Sequence, residues 1–204
     1  MGYLNRLRKY FSPPPITTAD ELALFLQQRA SLIAQKCAID YCRGKTGLAS
    51  YALFTEKPFL DALDICRWET FAEVLGDLTV LAEARLRPHA RPEQQSRLRN
   101  TLLQLHSGVL ASLPAPAHRP QGWSDVLASF AARFEKACGA QPQPTVALAD
   151  HSAKRLFETL PIHASMRELD EEVVYGAVRF RMIAVNQELE RRLAAADVVR
   201  ALTA

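Results

Sequence analysis

The chain contains few glycines and no stretch with the pattern of a β-strand. Glycine accounts for 8 of the 204 residues, and no window alternates apolar and polar side chains for long enough to form a half-buried strand. Alanine, leucine, arginine and glutamate, which favour helix, are frequent. These features argue against a sheet-based fold and predict an all-α protein.

Cysteines are also few, and they lack the spacing of a metal site. The chain has 4 of them, Cys37, Cys42, Cys66 and Cys138, without a CxxC pair or a histidine at zinc spacing. Each lies in a helical segment with apolar neighbours, where a free thiol behaves as a small hydrophobe. The 5 histidines show no ligand spacing among themselves. We therefore expect reduced, buried cysteines in a cytoplasmic protein, with no metal and no cofactor.

Long apolar runs are missing as well, and the net charge is small. No segment approaches the roughly 20 apolar residues that cross a bilayer, and no secretory signal is recognisable. The formal net charge of +3 is too small to indicate a nucleic-acid partner by itself. We expect a cytoplasmic protein whose membrane contact, if it has any, is peripheral, at the inner face of a membrane.

No catalytic motif is present in the sequence. It contains neither GxSxG nor the Glu-x-x-His pairs of a di-iron bundle. Glu69, Glu73 and Asp77 form a row of carboxylates, but without histidine partners this row is expected to be solvated or salt-bridged. Gly44-Lys45-Thr46 matches only the end of a phosphate-binding loop, without the earlier glycine or a preceding strand. A non-catalytic role is therefore favoured over an enzyme.

The stretch from residue 57 to residue 87 organises the rest of the chain. Pro58 favours a helix start and Pro88 forces an end, which leaves about 44 Å of helix. One broad arc of its helical wheel is apolar. The other arc carries the carboxylates of Asp61, Glu69, Glu73, Asp77 and Glu83. An apolar arc this wide predicts a central helix with several neighbours.

Two arginines interrupt the apolar arc of this helix. Arg67 and Arg85 point into the arc, and Asp64 lies at its edge. A buried guanidinium needs an anion, which is either a protein carboxylate or the headgroup of a ligand. These three residues are the candidate binding site of a small-molecule or lipid-binding bundle. Asp64 and Arg67, at i and i+3, are also expected to form a local ion pair.

Further helices are predicted on both sides of the central one. Thr18 and Glu21 form a capping-box pattern at the start of a helix that reaches Arg43. The remaining predicted helices span residues 93–113, 123–138, 145–160 and 168–193, followed by a fraying tail. The sequence thus predicts a single-domain bundle of about six main helices over residues 17–204, preceded by an N-terminal arm and proline spacer in residues 1–16.

The first helix and the central helix are expected to form an antiparallel hairpin, because the connection between them is short. A reversal near residue 50 predicts a definite register for their charged side chains. It pairs Arg29 with Glu73, Lys36 with Glu69 and Arg43 with Asp61.

The predicted helix over residues 168–193 carries two apolar strips. The first consists of Leu169, Val173, Ala177, Phe180 and Ala184. The second includes Val174, Val178, Met182, Val185 and Leu189. One strip is expected to pack on the central helix. The other meets either a further helix of the same chain or a protein partner, which includes a second copy of this chain.

The segment Met1–Phe11 is basic and amphipathic, and three prolines follow it as a stiff spacer. Such a segment docks on an anionic membrane surface, on the body of its own protein or on a partner. The candidate docking residues are Tyr3, Leu4, Arg6, Leu7, Arg8, Lys9 and Phe11.

One stretch resembles a known family. The spacing of Ile39, Gly44, Tyr51, Phe54, Lys57 and Leu60 resembles the helix-turn-helix of tetracycline-repressor-like regulators, which are all-α proteins. The sequence departs from the family pattern in residues 27–36, where no turn occurs. It also lacks a basic recognition helix, because residues 48–54 contain no arginine or lysine. The resemblance implies a degenerate relative of such regulators, without a nucleic-acid partner.

Two further classes of function fit the sequence. The first is a non-catalytic helical adaptor or assembly factor that acts at a membrane surface or within a protein complex. It is favoured by the amphipathic arm, the proline spacer and the two-sided last helix. The second is a ligand-binding bundle, or an enzyme built on one, with its site around Asp64, Arg67 and Arg85.

Overall fold

A computed structural model describes residues 13–204 as a bundle of α-helices. In chain order the helices are α1 (Ala19–Thr46), α2 (Ser50–Leu53), α3 (Lys57–Leu86), α4 (Gln95–Ala111), α5 (Ser124–Cys138), α6 (Thr145–Thr159), α7 (Ala164–Arg167), α8 (Glu171–Arg192) and α9 (Ala195–Thr203). The six long ones are those predicted from the sequence. Residues 13–204 contain no strand, only an isolated parallel bridge between Ile16 and Leu193. The all-α prediction is confirmed.

The helix starts follow from local chemistry. The hydroxyl of Thr18 accepts a hydrogen bond from the Glu21 amide at 3.2 Å, and the Glu21 carboxylate accepts one from the Thr18 amide at 3.1 Å. This reciprocal capping box begins α1 as predicted. Pro58 lies in the first turn of α3, where its missing N–H leaves no hydrogen bond unmade. α1 ends at Thr46 and is capped by Gly47, whose φ of 52° suits glycine.

The central helix is buried on its acidic side as well as on its apolar side. α1, α4, α5, α6 and α9 all pack on α3, and the buried carboxylates are those of Glu69, Asp77 and Glu83. For the row formed by Glu69, Glu73 and Asp77, the sequence left two possibilities open, solvation or ion pairing. Glu69, Glu73 and Asp77 are paired, because α5, α6 and the loop before α5 carry arginines over them. Glu83 pairs instead with Arg87, just after α3. Leu60, placed in the apolar arc by the sequence, is exposed.

The predicted register of charges between α1 and α3 is wrong. Arg29 bonds Glu188 of α8 at 2.6 Å, and Lys36 pairs with Asp40 of its own helix at 3.1 Å. Arg43 lies over the ring of Phe54. α1 and α3 do pack against each other. Their acidic and basic rows nevertheless face different neighbours, because the carboxylates of α3 turn toward α5 and α6.

The end of the chain is ordered helix rather than a fraying tail. α9 buries Val198, Val199 and Leu202 and packs on α4 and α3. Ile16 is also part of the core: its amide donates to the Arg192 carbonyl at 2.8 Å, and its carbonyl accepts from the Ala194 amide at 2.9 Å. The chain therefore joins the folded body no later than Ile16.

Two further expectations concern α1 and the thiols. α1 runs without interruption through residues 27–36, and a 3-10 turn (Gly47–Ala49) and the single turn of α2 lie between it and α3. All four cysteines are free and buried, as predicted. Burial raises the pKa of Cys37 and Cys66 to about 11 and that of Cys42 and Cys138 to about 12, so these thiols stay protonated at neutral pH.

Candidate functional site

Asp64 and Arg67 lie beside a small cavity between α1 and α3. The Nη1 atom of Arg67 is 3.6 Å from Oδ1 of Asp64, and their side chains are 35% and 52% exposed. The Nε–H of Arg67 is buried without a hydrogen-bond partner in the described part of the chain. The cavity measures about 160 Å³. Its other lining residues are Ser31, Ala34, Gln35, Trp68 and Phe71.

Arg85 does not belong to this cavity. It is five turns farther along α3, which is about 27 Å from Arg67. Its Nη2 and Nε atoms donate to Oδ1 of Asn186 on α8 at 2.9 and 3.2 Å, and Glu190 lies 3.4 Å from Nη1. The structure therefore brings Asp64 and Arg67 together and separates Arg85 from both. Neither arginine is deeply buried in the apolar arc, because the side chain of Arg67 is 35% exposed and that of Arg85 is 36% exposed.

The densest group of charges lies on the other side of α3, around Glu69. Oε1 of Glu69 accepts hydrogen bonds from Arg119 Nε at 2.5 Å and pairs with His118 Nε2 at 2.8 Å. Its second oxygen accepts from Arg119 Nη2 at 2.9 Å and from Arg155. Burial alone would raise the pKa of Glu69, but the hydrogen bonds from Arg119, Arg155 and His118 outweigh it and lower the pKa to about 2.

The same row continues one and two turns farther along α3. Oε2 of Glu73 lies 2.9 Å from His151 Nδ1 and 3.6 Å from Arg133 Nη2. Asp77 accepts hydrogen bonds from Arg133 and, at 3.2 Å, from the amide of Ser152. Burial opposes ionisation of Glu73, yet the contact with His151 and the charge of Arg133 hold its pKa below the usual range.

These contacts leave the buried row without free charge. Each of the three carboxylates meets at least one arginine, and three arginines serve the row. A network that neutralises itself needs no ligand, so its role is to fix α5 and α6 on α3. The sequence revealed the carboxylates but not their partners Arg119, Arg133 and Arg155, because those come from three separate elements.

His106 is a further buried polar side chain near this network. Its ring stacks on that of Phe130 with 3.9 Å between the centroids, and neither ring nitrogen has a hydrogen-bond partner in residues 13–204. Burial, together with the positive charge of Arg133, lowers the pKa of His106 to about 4. The ring is therefore neutral at physiological pH and acts as an aromatic core residue.

An exposed apolar surface of the bundle lies on α8. Val174, Val178, Met182, Val185 and Leu189 are buried on one side of this helix, which packs mainly on α6 and α1 rather than on the central helix. The opposite side exposes Phe180 to 73% and Val173 to 64%. We call this side the outer face of α8, formed by Val173, Gly176, Ala177, Phe180, Ile183, Ala184 and Gln187.

A groove between α1 and α8 extends this face sideways. It has a volume of about 310 Å³, and its apolar wall includes Leu32, which is half exposed. Its polar rim consists of Arg29, Lys36, Arg181 and Glu188. The sequence analysis identified Phe180 and Ala184 as one strip of the helix but not Leu32 or Ile183. Periodicity alone could not show which strip of α8 stays exposed, because both are equally apolar.

Two strongly exposed leucines, Leu169 and Leu48, lie outside α8. Lys45 Nζ lies 2.5 Å from Asp170 Oδ2, and the Tyr41 hydroxyl donates to the same oxygen at 2.8 Å. These bonds bring the end of α1 beside Leu169, which is 92% exposed. Leu48, shortly after α1, is fully exposed as well.

The candidate docking residues of the N-terminal arm, from Tyr3 to Phe11, lie outside residues 13–204. Within that range no group of three or more His, Cys, Asp or Glu side chains could hold a metal ion. No helix of that range is both long and apolar enough to cross a membrane.

Comparison with known proteins adds no relative to these observations. No protein-family model, no curated protein and no solved structure matches this chain.

Proposed function

We propose that this protein is a non-catalytic helical adaptor that binds another protein through the outer face of α8. The observation that carries the proposal is the exposure of Phe180 and Val173 on a helix whose opposite side is already buried. α8 does not need this second apolar side in order to fold. A protein partner that packs on this side would bury its apolar side chains.

The chemistry of the face supports protein binding. Burying apolar surface is worth about 25 cal/mol per Å², and a continuous exposed apolar patch on a soluble domain commonly marks an interaction site. Aromatic residues such as Phe180 are enriched in the core of interfaces, and polar residues form the rim. Beside Phe180, the polar rim of the adjacent groove includes Arg29, Lys36 and Glu188.

The charged groups elsewhere in the bundle give less support to a catalytic role. The carboxylates on α3 are neutralised by arginines, as described above, and the buried thiols have raised pKa values. None of these groups is both exposed to solvent and shifted in pKa in the direction that would make it a better acid, base or nucleophile at neutral pH.

Site-specific photo-crosslinking in the organism of origin tests the proposal. A benzophenone amino acid at position 180 should yield a defined crosslink to one protein. The same label at position 51 is the matched control, because Tyr51 is another strongly exposed aromatic residue and belongs to α2 rather than α8. The crosslink at 180 should disappear when Val173 is replaced by Asp. Identical crosslinks from both positions would contradict the proposal.

A second candidate is a small-ligand site at Arg67, favoured by the cavity and the unpartnered Nε–H. A cavity of about 160 Å³ is smaller than the roughly 300–1,000 Å³ of sites for drug-sized ligands, so only a small anion fits. Native mass spectrometry of freshly purified protein should then show a retained small anion that the Arg67→Gln variant loses. Wild-type protein with no retained anion would contradict this candidate.

A further inference from the structure

We infer that the cavity beside Arg67 binds a small α-amino acid in its zwitterionic form. This inference rests on the second candidate function and names its ligand class: the anionic group is a carboxylate, and the same molecule carries an ammonium group. The cavity lies between α1 and α3, and the charged side chains that line it are those of Asp64 and Arg67. A bare anion would meet both a cation and an anion there, whereas a zwitterion complements both charges.

Arg67 provides the position for the carboxylate of the ligand. The Nε–H and Nη2–H groups of a guanidinium form a fork that matches the two oxygens of a carboxylate. Asp64 faces the Nη1 atom, so its contact with Arg67 leaves this fork open. The Nε–H group has no hydrogen-bond partner within residues 13–204. A ligand carboxylate at the fork supplies the acceptor that this buried N–H group lacks.

Asp64 provides the position for the ammonium group. Its Oδ1 atom lies 3.6 Å from Nη1 of Arg67, which is longer than a hydrogen bond, and its side chain is 52% exposed. Its oxygens can therefore accept hydrogen bonds from a ligand. The short distance between the two protein charges also sets the spacing within the ligand. A molecule that contacts both must carry its carboxylate and ammonium groups close together, as an α-amino acid does on a single carbon atom.

The uncharged lining residues limit the size and the side chain of the ligand. Ala34, Trp68 and Phe71 provide apolar surface, and Ser31 and Gln35 provide a hydroxyl and an amide. The volume of about 160 Å³ is close to the roughly 150 Å³ of an apolar cavity that accommodates benzene. We therefore expect amino acids with short side chains, such as alanine, serine and valine.

Titration of the full chain with L-alanine, L-serine and L-valine tests the inference. Binding is measured by isothermal titration calorimetry and by tryptophan fluorescence, because Trp68 lines the cavity. At least one of the three should bind at one site per chain. For each amino acid that binds, the controls are the analogues that lack one charged group, which are isovalerate and isobutylamine in the case of valine. Each analogue should bind about tenfold more weakly or worse, since it loses the charge-assisted hydrogen bonds of that group.

Variants of the two charged residues locate the site. Arg67→Gln and Asp64→Asn should each weaken binding of the amino acid by about tenfold or more. Arg85→Gln and Asp61→Asn are the matched controls, because they change an arginine and an aspartate of the same helix that do not line the cavity. Both controls should bind as the wild type does. Circular dichroism checks that each variant is folded, and if Arg67→Gln is not, Asp64→Asn decides.

The outcomes separate this inference from the proposed functions. Failure of all three amino acids to bind, or undiminished binding by Asp64→Asn, would overturn the inference. If isovalerate binds as tightly as valine and Arg67→Gln abolishes both, the anion site of the second candidate stands and the zwitterion is wrong. If no amino acid binds and mass spectrometry shows no retained anion, the second candidate fails as well. The adaptor proposal is tested separately, by the crosslink at position 180.

Discussion

Gly76 of α3 lies directly against Arg133 of α5. A Cβ atom built on Gly76 would come within 2.6 Å of the Arg133 Nη2 atom and within 2.9 Å of the Phe130 ring. Arg133 holds Asp77 and Glu73 at the same crossing. The glycine therefore allows α5 to approach the central helix closely enough for its arginine to reach the buried carboxylates.

Gly76→Ala should destabilise the protein although alanine favours helix. The intrinsic gain of about 1 kcal/mol is outweighed by about 1–3 kcal/mol of overpacking, because both Arg133 and Phe130 must move. Gly108→Ala is the matched control: it also lies within a helix, but an added Cβ meets nothing within 4 Å, so a small stabilisation is expected. Urea denaturation of the two variants measures both effects, and equal changes would contradict the close crossing of α3 and α5.

Glu69→Gln should be strongly destabilising. The change leaves Arg119 and Arg155 with a neutral acceptor in a buried site, which costs on the order of 3 kcal/mol. Asp125→Asn is the control, because Asp125 also bonds Arg119 but is 67% exposed; its loss should cost less than about 1 kcal/mol. Chemical denaturation at pH 7 distinguishes the two. Similar losses in both variants would show that Glu69 is not the centre of the network.

The fold could be predicted from the sequence because its signals are local. The capping box at Thr18 and Glu21 and the prolines at 58 and 88 set helix ends that depend on neighbouring residues alone. Apolar periodicity then gave all six long helices. The end of the chain was misjudged, because the nine residues of α9 are too few for periodicity to separate a packed helix from a frayed one.

The candidate site was harder to predict, because its geometry depends on which elements meet. Arg67 and Arg85 share one arc of the helical wheel, yet about 27 Å of helix separates them. The wheel also showed Glu69 and Asp77 as a polar face. That face can be buried because arginines of α5, of α6 and of the loop before α5 form ion pairs with its carboxylates. Nothing in the spacing of these arginines along the chain predicts that they contact α3.

Asp64→Ala should have a small effect on stability. The pair with Arg67 forms as predicted, but both side chains are at least one-third exposed. The loss of about 3 kcal/mol expected for deep burial therefore does not apply, and less than about 1 kcal/mol is expected. Thermal unfolding measures this, with Asp61→Ala as a control on the exposed pair with Lys57. A loss of several kcal/mol would show that Arg67 depends on Asp64 as its sole anion.

His106 should make the protein less stable as the pH falls from about 6.5 to 4. Burial lowers its folded-state pKa to about 4, whereas the unfolded ring has a pKa near 6.5. Between these two pKa values the unfolded state binds a proton on His106 that the folded state does not. The contribution of the neutral ring to the free energy of unfolding is therefore complete above pH 6.5. It falls as the pH is lowered, by roughly 2 kcal/mol at pH 5. The positive charge of Arg133 also lowers the pKa of His106, and the negative charge of Glu73 raises it. Urea denaturation at pH 7.5 and 5 gives the difference in the free energy of unfolding between the two pH values. This difference should be smaller for His106→Leu than for the wild type. The variant His89→Gln, changed at an exposed position, is the control and should show the wild-type difference. An undiminished pH dependence in His106→Leu would assign the loss to other groups.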